Sequence, residues 1–242
     1  MNDLQNFRDR VALVTGAARG IGQAIAQALV DRGAEVHVFD IGVGGDGGGG
    51  AGKRLISHNV DITDSEAVNA AVQGLPSPPS LLVNNAGITR DRSIAKMSDA
   101  EWNDVLSVNL TGAFNMIRAV TPAMTAAGYG RIVNITSING LRGKFGQANY
   151  AAAKAGLVGL TKTAAREMGR KGITVNAVAP GMVMTEMAEQ LPKEFIEKAL
   201  DETMVKRLAK PEDIAHGVLF LLSEEAGLIT GEVLKIDGGQ YI

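Results

Sequence analysis

The 242-residue chain contains no cysteine. This absence excludes disulfide bonds, thiolate catalysis and cysteine-ligated zinc, and it suits a reducing compartment. The three histidines, His37, His58 and His216, are scattered along the chain, and none has another metal ligand at a recognised spacing. We therefore interpret all three as structural and expect no metal site.

The chain also has no large excess of charge of either sign and no long apolar run. The formal net charge is −2 and no polybasic segment is present, so we expect neither a nucleic-acid partner nor binding to an anionic membrane. No stretch approaches the ~20 apolar residues that span a bilayer, and the first residues lack the pattern of a secretory leader. The expected location is the cytoplasm, and the expected partners are small molecules.

Hydrophobic residues make up 45% of the chain and charged residues 21%, as in ordinary folded proteins. Short apolar runs alternate with helical patterns, and we predict seven strands: 11–15, 35–40, 55–61, 81–84, 131–137, 173–178 and 232–236. Continuously apolar strands separated by helices indicate a parallel sheet that is covered on both faces. The predicted class is α/β, a doubly wound Rossmann-type three-layer sandwich with a seven-stranded parallel sheet, in one domain over 1–242.

Residues 42–52 stand where such a fold usually places a helix, yet they include eight glycines. Glycine is a poor helix former, so this stretch does not hold a stable helix. We predict a flexible surface loop, with a phosphate-binding loop as the alternative.

A second glycine-rich stretch, residues 15–22 (TGAARGIG), follows the first strand and opens the first helix. Glycine lets backbone N–H groups approach a pyrophosphate at a helix N-terminus, where the helix dipole also favours negative charge. The spacing is not the G-x-G-x-x-G fingerprint, so a tight turn that binds nothing is the alternative. The position between strand and helix favours a dinucleotide site.

Asp40 ends the second predicted strand, which bears on the choice of cofactor. A carboxylate there accepts hydrogen bonds from both hydroxyls of an adenosine ribose and repels a 2′-phosphate, which favours NAD. Arg19, in the glycine turn, could instead pair with a 2′-phosphate and favour NADP. We predict NAD, with NADP as the alternative.

Further polar residues follow the third and fourth predicted strands. Asp61 ends the third, and Asn84 and Asn85 end the fourth. Doubly wound sheets bind ligands at the carboxyl ends of their strands, so all three are cofactor candidates. Asparagine pairs are also common in turns, which is the alternative for Asn84 and Asn85.

Tyr150 and Lys154 stand four residues apart in a predicted helix, and Ser137 ends the fifth predicted strand. Positions i and i+4 share a helix face, so an ammonium can lie close to a phenol. A phenol in water has a pKa near ~10, and a nearby positive charge lowers that pKa toward values useful for proton transfer. We therefore interpret Tyr150 as a proton carrier whose pKa is lowered by Lys154.

These residues together resemble the short-chain dehydrogenase/reductase family. The resemblance rests on T-G-x-x-x-G-x-G at 15–22, N-N-A-G at 84–87, Asn109, Ser137, Y-x-x-x-K at 150–154 and P-G at 180–181. It covers nearly the whole chain. Residues 87–91 (GITRD), 139–140 (NG) and 146–156 (GQANYAAAKAG) are most similar to the 3-oxoacyl-[acyl-carrier-protein] reductases and the acetoacetyl-CoA reductases.

The resemblance implies a role for each matching residue. Tyr150 would be the general acid, Ser137 would hold the substrate oxygen, Lys154 would bind the nicotinamide ribose and lower the Tyr150 pKa, and Asn109 would anchor a proton-relaying water. The implied cofactor residues are Gly16, Arg19, Gly20, Ile21 and Gly22 at the pyrophosphate and nearby ribose, Asp61 and Ile62 at the adenine, Asn85 and Ala86 at the ribose side, Val183 and Thr185 at the carboxamide, and Tyr150 and Lys154.

The resemblance further implies a mobile substrate lid at 182–200, a homotetramer and a role in fatty acid biosynthesis. Arg131, Arg170 and Lys171 could form a basic patch for an acidic acyl carrier protein, with a solvated surface as the alternative. The most similar reductases usually prefer NADPH and lack the acidic strand end at Asp40, so the resemblance points toward NADP.

We therefore expect NAD(P)H-dependent reduction of a 3-oxoacyl thioester, carried by acyl carrier protein or CoA, to the 3-hydroxyacyl thioester. An NAD-dependent dehydrogenase of another secondary alcohol or ketone is the alternative enzyme. A non-enzymatic nucleotide-binding regulator is the alternative from another class. All four implied catalytic positions are filled, which disfavours the regulator.

Overall fold

A computed structural model of the chain describes residues 6–42 and 54–242. Within these residues a single sheet contains seven parallel strands in the order β3-β2-β1-β4-β5-β6-β7. The strands are β1 (Val11–Thr15), β2 (Glu35–Asp40), β3 (Leu55–Asn59), β4 (Leu81–Asn84), β5 (Gly130–Ile135), β6 (Ile173–Pro180) and β7 (Val233–Ile236). The predicted fold class is confirmed. The loop predicted at 42–52 lies, apart from Gly42, outside the described residues.

Nine α-helices occur within the same described residues. They are α1 (Gly20–Asp31), α2 (Ser65–Gln73), α3 (Asp99–Leu106), α4 (Ala113–Ala127), α5 (Ile138–Arg142), α6 (Ala148–Met168), α7 (Glu186–Glu189), α8 (Lys193–Glu202) and α9 (Pro211–Leu222). A π-helical turn, Ser107–Gly112, joins α3 to α4. None of the helices in the described part of the chain is long and apolar enough to cross a membrane.

Two apolar clusters cover the two faces of the sheet. Ile25 of α1 and Ile214 of α9 pack against one face, while Val68 of α2, Met116 of α4 and Met168 of α6 pack against the other. The central strands β4, β5 and β6 are buried along their whole length, which explains their largely apolar sequences. This three-layer arrangement fixes the carboxyl ends of the strands along one edge.

Five strand boundaries differ from the prediction. β3 ends at Asn59, two residues before Asp61, while β5 begins one residue earlier, at Gly130, and ends at Ile135, two residues before Ser137. β6 continues to Pro180, and β7 begins at Val233. Asp61 and Ser137 are therefore not strand residues, because each already belongs to the turn that leads into the next helix.

The order of the sheet reverses between β1 and β4. β1 pairs with β2 on one side and with β4 on the other, so the chain leaves these two neighbouring strands in opposite directions. Such a reversal opens a crevice at the carboxyl ends of the strands, which is where ligands bind in doubly wound folds. The glycine turn and the end of β4 meet at this crevice.

Candidate active site

A cavity of about 570 Å³ occupies the crevice. Ten of the residues predicted from the sequence line it, namely Gly16, Arg19, Gly20, Ile21, Asp40, Asp61, Ile62, Asn85, Ala86 and Thr185. The structure adds residues that the sequence analysis missed, among them Phe39 and Val60, which immediately precede Asp40 and Asp61. Their position at the ends of β2 and β3 was the signal that could have identified them.

Glycine is required in the turn by its close approach to the end of β4. Gly16 has a positive φ of 63°, and a Cβ there would stand 2.6 Å from the Ala86 Cα. A Cβ at Gly22 would collide with the Asn85 amide. Gly22 is buried and does not line the cavity, so its predicted cofactor contact stays a prediction.

Asn85 joins the glycine turn to the end of β4. Its Nδ2 donates hydrogen bonds to the Thr15 carbonyl at 3.0 Å and to the Gly16 carbonyl at 2.7 Å. Asn84 lies inside the sheet instead, where its Nδ2 donates to Asn134 Oδ1 at 2.8 Å. The two neighbouring asparagines therefore differ, and of the two only Asn85 borders the cavity.

Asp40 and Arg19 lie on the wall of the cavity formed by β2 and the glycine turn. The carboxylate of Asp40 accepts from the Ala18 N–H at 2.9 Å and from the Ile41 N–H at 2.8 Å. Each oxygen keeps a second lone pair for a further donor. Arg19 is exposed, and its guanidinium makes no salt bridge with any residue that the structure describes. Both groups are free to meet a ligand.

Asp61 and Ile62 follow β3 and form another part of the wall. Asp61 Oδ1 accepts from both the N–H and the hydroxyl of Thr63, each at 2.8 Å, which fixes the turn. The Ile62 side chain packs so closely on the π-helical turn that a Cβ at Gly112 would stand 2.5 Å from Ile62 Cδ1. Val183 is buried beside Ala209 and does not line the cavity, so its predicted cofactor contact stays a prediction.

Ser137 is the N-cap of α5. Its Oγ accepts a hydrogen bond from the Asn139 N–H at 3.1 Å, which orients the hydroxyl at the carboxyl edge of the sheet. The Ser137 hydroxyl lies near enough to the phenol of Tyr150 to lower its pKa. The serine and tyrosine predicted to act together are therefore neighbours, even though a short helix separates them along the chain.

Lys154 lies one turn after Tyr150 on α6 and is buried, with 3% of its surface exposed. Its Nζ donates to the Ile135 carbonyl at 2.8 Å and lies 5.6 Å from the centre of the Tyr150 ring. Burial lowers the pKa of Lys154 from 10.5 to about 8. The predicted i and i+4 pairing of the two side chains is confirmed by these positions.

The net lowering of the Tyr150 pKa that the sequence predicted is not found in the chain by itself. The pKa of Tyr150 is raised, first by burial, which removes water from the phenolate, and also by the negative charge of Asp91. The nearby Ser137 hydroxyl lowers this pKa but does not outweigh burial. The phenol is therefore protonated at neutral pH, which suits a proton donor.

Asn109 lies in the π-helical turn and is buried. Its Oδ1 accepts from the Ile88 N–H at 2.8 Å, and its Nδ2 donates to the Ile88 carbonyl at 3.0 Å. A Cβ at Gly87 would stand 3.3 Å from Asn109 Oδ1 and 3.5 Å from Lys154 Nζ, so both groups border the same glycine. π-Helical turns are frequent at functional sites, and this one places the amide beside Gly87.

Arg131 cannot serve in the predicted basic patch. It is buried, and its NH2 pairs with Glu224 Oε2 at 3.4 Å. Arg170 and Lys171 are exposed at the turn after α6. The patch is reduced to these two residues, because Arg131 is a structural residue at the start of β5.

A nicotinamide dinucleotide fits the arrangement. The glycine turn presents backbone N–H groups at the N-terminus of α1, with no side chains between them and the cavity at Gly16 and Gly20. Asp40 stands at one end of the cavity wall as a ribose acceptor. Gly87, which borders Lys154 and Asn109, lines the cavity as well, so the same space reaches from the glycine turn to the catalytic candidates.

The sequence was compared with protein families and with known proteins. Residues 16–240 match a family model described as enoyl-(acyl carrier protein) reductase. The 3-oxoacyl-[acyl-carrier-protein] reductase of Vibrio harveyi is 44% identical, with 98% of this chain and 99% of that protein covered. The acetoacetyl-CoA reductase of Rhizobium meliloti (strain 1021) is 45% identical, with 96% and 98% covered.

A search of solved structures gives the same result. The crystal structure of 3-oxoacyl-[acyl-carrier protein] reductase from Brucella melitensis ATCC 23457 has a TM-score of 0.93 and 37% sequence identity, and the match covers 98% of this chain and 93% of that one. The chain belongs to the short-chain dehydrogenase/reductase family, a family of oxidoreductases that use a nicotinamide cofactor.

Proposed function

We propose that this chain reduces a 3-oxoacyl thioester to the 3-hydroxyacyl thioester with a reduced nicotinamide cofactor. The observation that carries the proposal is the convergence of Ser137, Tyr150 and Lys154 beside the dinucleotide cavity. The class of substrate is supported by near-complete matches to relatives named for 3-oxoacyl and acetoacetyl thioesters.

In the proposed reaction the chain acts on the ketone oxygen. The cofactor supplies a hydride from its nicotinamide ring. Ser137 Oγ and the neighbouring Tyr150 hydroxyl both donate to the ketone oxygen and stabilise the negative charge that develops there. Tyr150 then transfers its proton to that oxygen, which its raised pKa permits because the phenol is protonated beforehand.

Lys154 and Asn109 support the proton transfer. The ammonium of Lys154 lies one helical turn from the phenol, so its positive charge favours the phenolate that forms when Tyr150 gives up its proton. Asn109 borders the same glycine as Lys154, which is a suitable place to hold a water that returns a proton. Lys154 in turn is the group that binds the nicotinamide ribose in this proposal.

We propose NADH as the preferred cofactor, with NADPH as the alternative. The carboxylate of Asp40 keeps free lone pairs and stands on the cavity wall, where it accepts from ribose hydroxyls and repels a 2′-phosphate. Arg19 supports the alternative, because its guanidinium is exposed on the same wall. Asp40 is the stronger indication of cofactor preference, because two backbone hydrogen bonds fix the position of its carboxylate.

The remaining parts of the proposal concern organisation and partners. Residues 1–242 would form one domain, with 182–200 as the substrate lid, and four copies would assemble as in related reductases. The substrate carrier is either acyl carrier protein or CoA, since relatives of both kinds match over nearly their whole length. Arg170 and Lys171 are the exposed cations left for an acidic carrier.

Steady-state assays test the reaction. The purified protein is given acetoacetyl thioesters of CoA and of acyl carrier protein, a crotonyl thioester and a simple cyclic ketone, each with NADH and with NADPH. We expect the acetoacetyl thioesters to have the highest kcat/KM. Reduction of the crotonyl thioester instead would match the name of the family model and refute the proposal, and a preference for the cyclic ketone would support the other alcohol dehydrogenase.

The same assays test the cofactor. We expect NADH to be favoured over NADPH, and Asp40→Ser to shift the ratio of kcat/KM values toward NADPH by about tenfold or more, because a close like charge is removed. Arg19→Ser is the matched control, and we expect it to lower only the residual NADPH activity. A wild-type preference for NADPH above about tenfold, or roughly 1.4 kcal/mol, would show that the role given to Asp40 is wrong.

A further inference from the structure

One residue near the C-terminus bonds to the chain on both sides of the proposed lid, residues 182–200. The Met182 N–H, at the start of the lid, donates to Gln240 Oε1 at 2.9 Å. Gln240 Nε2 donates at 3.0 Å to Glu202 Oε2, which lies at the end of α8, two residues beyond the lid. Between these ends Leu191 and Phe195 are 42% and 52% exposed, so the middle of the lid has little cover. Hydrogen bonds therefore hold the chain on both sides of the lid, while side chains in the middle of the lid are exposed to solvent.

Arg142 links the same end of the lid to the helix that begins at the catalytic serine. It is the last residue of α5, and its NH2 donates to Glu202 Oε2 at 3.0 Å while its NH1 donates to the Gln240 carbonyl at 3.2 Å. Among the residues that the structure describes, this is the only side-chain hydrogen bond between residues 182–202 and 137–142. One guanidinium therefore joins α5, the lid and the C-terminal residues.

The link continues from Arg142 to Ser137 through Asn139. Arg142 Nε donates to Asn139 Oδ1 at 3.4 Å, and the Asn139 N–H donates to Ser137 Oγ. On its other side Asn139 Nδ2 donates to Gln147 Oε1 at 3.0 Å, and buried Gln147 donates to Asp91 Oδ2 at 2.9 Å. The orientation of the serine and the position of the lid thus depend on one connected set of hydrogen bonds.

We infer that Arg142 is a positioning residue that couples the lid to Ser137, so that a bound acyl chain under the lid and the ketone at Ser137 are held in one geometry. This inference rests on the proposed function, since it needs an acyl chain to lie under residues 182–200. Arg142 does not line the cavity and acts through Glu202 and Asn139.

Kinetics of Arg142→Ala test the coupling, with Arg10→Ala as the matched control. Arg10 also pairs with a glutamate, Glu224, at 2.6 Å, and its side chain is 34% exposed, against 25% for Arg142. We expect Arg142→Ala to raise KM for a long-chain 3-oxoacyl thioester about fivefold, the effect of one accessible charge-assisted hydrogen bond, with kcat changed less than about twofold. Arg142→Lys recovers part of the loss, and Arg10→Ala leaves KM unchanged.

Hydrogen exchange gives a readout that does not need turnover. We expect backbone amides of α8 to exchange about fivefold faster in Arg142→Ala and at least as fast in Glu202→Ala, and the double variant to show clearly less than the combined effect of the two, because both changes remove the shared contact between Arg142 and Glu202. Amides of α1 stay unchanged. Unaltered exchange in α8, or additive effects in the double variant, would overturn the coupling.

The two proposals fail in different ways. If the wild-type protein reduces no 3-oxoacyl thioester, the proposed function fails, and the exchange experiment still decides whether Arg142 holds the lid. If the wild-type protein is active while Arg142→Ala leaves both KM and α8 exchange unchanged, the inference about Arg142 alone is overturned.

Discussion

A buried cation lies at each end of strand β5, and the two cations differ in their surroundings. At the amino end Arg131 is 6% exposed, and it donates to the carbonyls of Gly130 at 3.0 Å and Gly172 at 3.3 Å. It also pairs with Glu224 at 3.4 Å and stacks on the Tyr129 ring at 4.4 Å. This guanidinium is compensated by charge, by hydrogen bonds and by an aromatic face.

At the carboxyl end Lys154 is 3% exposed and has far fewer partners. Its ammonium donates to the Ile135 carbonyl, the last residue of β5, and no carboxylate that the structure describes lies within salt-bridge distance of it. Burial without a counter-charge is the cause of its pKa of about 8. Burial therefore disfavours the charged form of this lysine.

The difference separates a structural charge from a functional one. A buried charge destabilises a fold unless it is paired, so Arg131 has the arrangement expected of a stabilising residue. An uncompensated buried charge beside a phenol and a ligand cavity is expected where chemistry uses the charge. The amino end of β5 is therefore built for stability and the carboxyl end for proton transfer.

The largest expected effect is the loss of turnover when the phenol at the carboxyl end is removed. Tyr150→Phe deletes the proton donor, and we expect kcat to fall by about 10³-fold, within the range for general acid catalysis. Tyr129→Phe is the matched control, because the pKa of Tyr129 is also raised by burial, at the opposite end of β5. We expect it to keep full activity.

Steady-state rates and cofactor binding together check this result. Tyr150→Phe should still bind the cofactor with nearly wild-type affinity, measured by nucleotide fluorescence, because the glycine turn is untouched. Unchanged turnover in this variant would remove the basis for an enzymatic function and favour a nucleotide-binding regulator.

Replacing Lys154 should stabilise the fold while it abolishes activity. A pKa lowered from 10.5 to about 8 means that burying the ammonium costs about 3 kcal/mol. The cost is full below pH 8 and disappears as the pH rises toward 10.5, since the unfolded lysine then also loses its proton. We therefore expect Lys154→Met to raise the free energy of unfolding by about 3 kcal/mol at pH 7 and by much less at pH 10.

Denaturant titrations at the two pH values measure that difference. An equal gain at pH 7 and pH 10 would mean that the methionine improves packing and that the buried charge is not the cause. A loss of stability at pH 7 would contradict the contrast between the two cations.

The equivalent substitution at the amino end should have the opposite sign. Arg131→Met removes two carbonyl hydrogen bonds, an ion pair with an exposed glutamate and a stacking contact, so we expect the free energy of unfolding to fall by about 2 kcal/mol. Because Glu224 is 60% exposed, water can solvate it afterwards, which limits the loss. Denaturant titration checks the stability, and wild-type kcat in the surviving folded protein confirms that this end takes no part in catalysis.

The residue pair at the carboxyl end of β5 was easier to predict from the sequence than the ion pair at its amino end. Tyr150 and Lys154 are four residues apart on a helix, so their common face follows from helix geometry alone. The Arg131 ion pair joins residues 93 positions apart, and no local pattern indicates it, which is why Arg131 was placed in a surface patch. Contacts across the sheet depend on packing, which periodicity does not report.

Boundaries and pKa values were less predictable than the fold, for related reasons. The apolar runs identified all seven strands. The fifth strand was predicted to extend to Ser137, although the backbone of this residue already caps α5. The direction of the Tyr150 pKa was missed because the distance to Lys154 can be read from spacing whereas the loss of water around the phenol cannot. Burial depends on how the helices pack on the sheet, which the local sequence pattern does not show.

The smallest effect, and the sharpest test of the contrast, is the pH dependence of the reduction. Lys154 loses its positive charge as the pH rises through about 8, while the raised pKa of Tyr150 keeps the phenol protonated above that point. We expect kcat/KM for reduction to fall above pH 8, approaching tenfold per pH unit, because the neutral amine no longer favours the phenolate. Lys154→Arg keeps its charge at every pH tested, so whatever activity it retains should lack this decline near pH 8. A decline near pH 8 that persists in Lys154→Arg would assign it to another group and leave the buried lysine without the role given to it here.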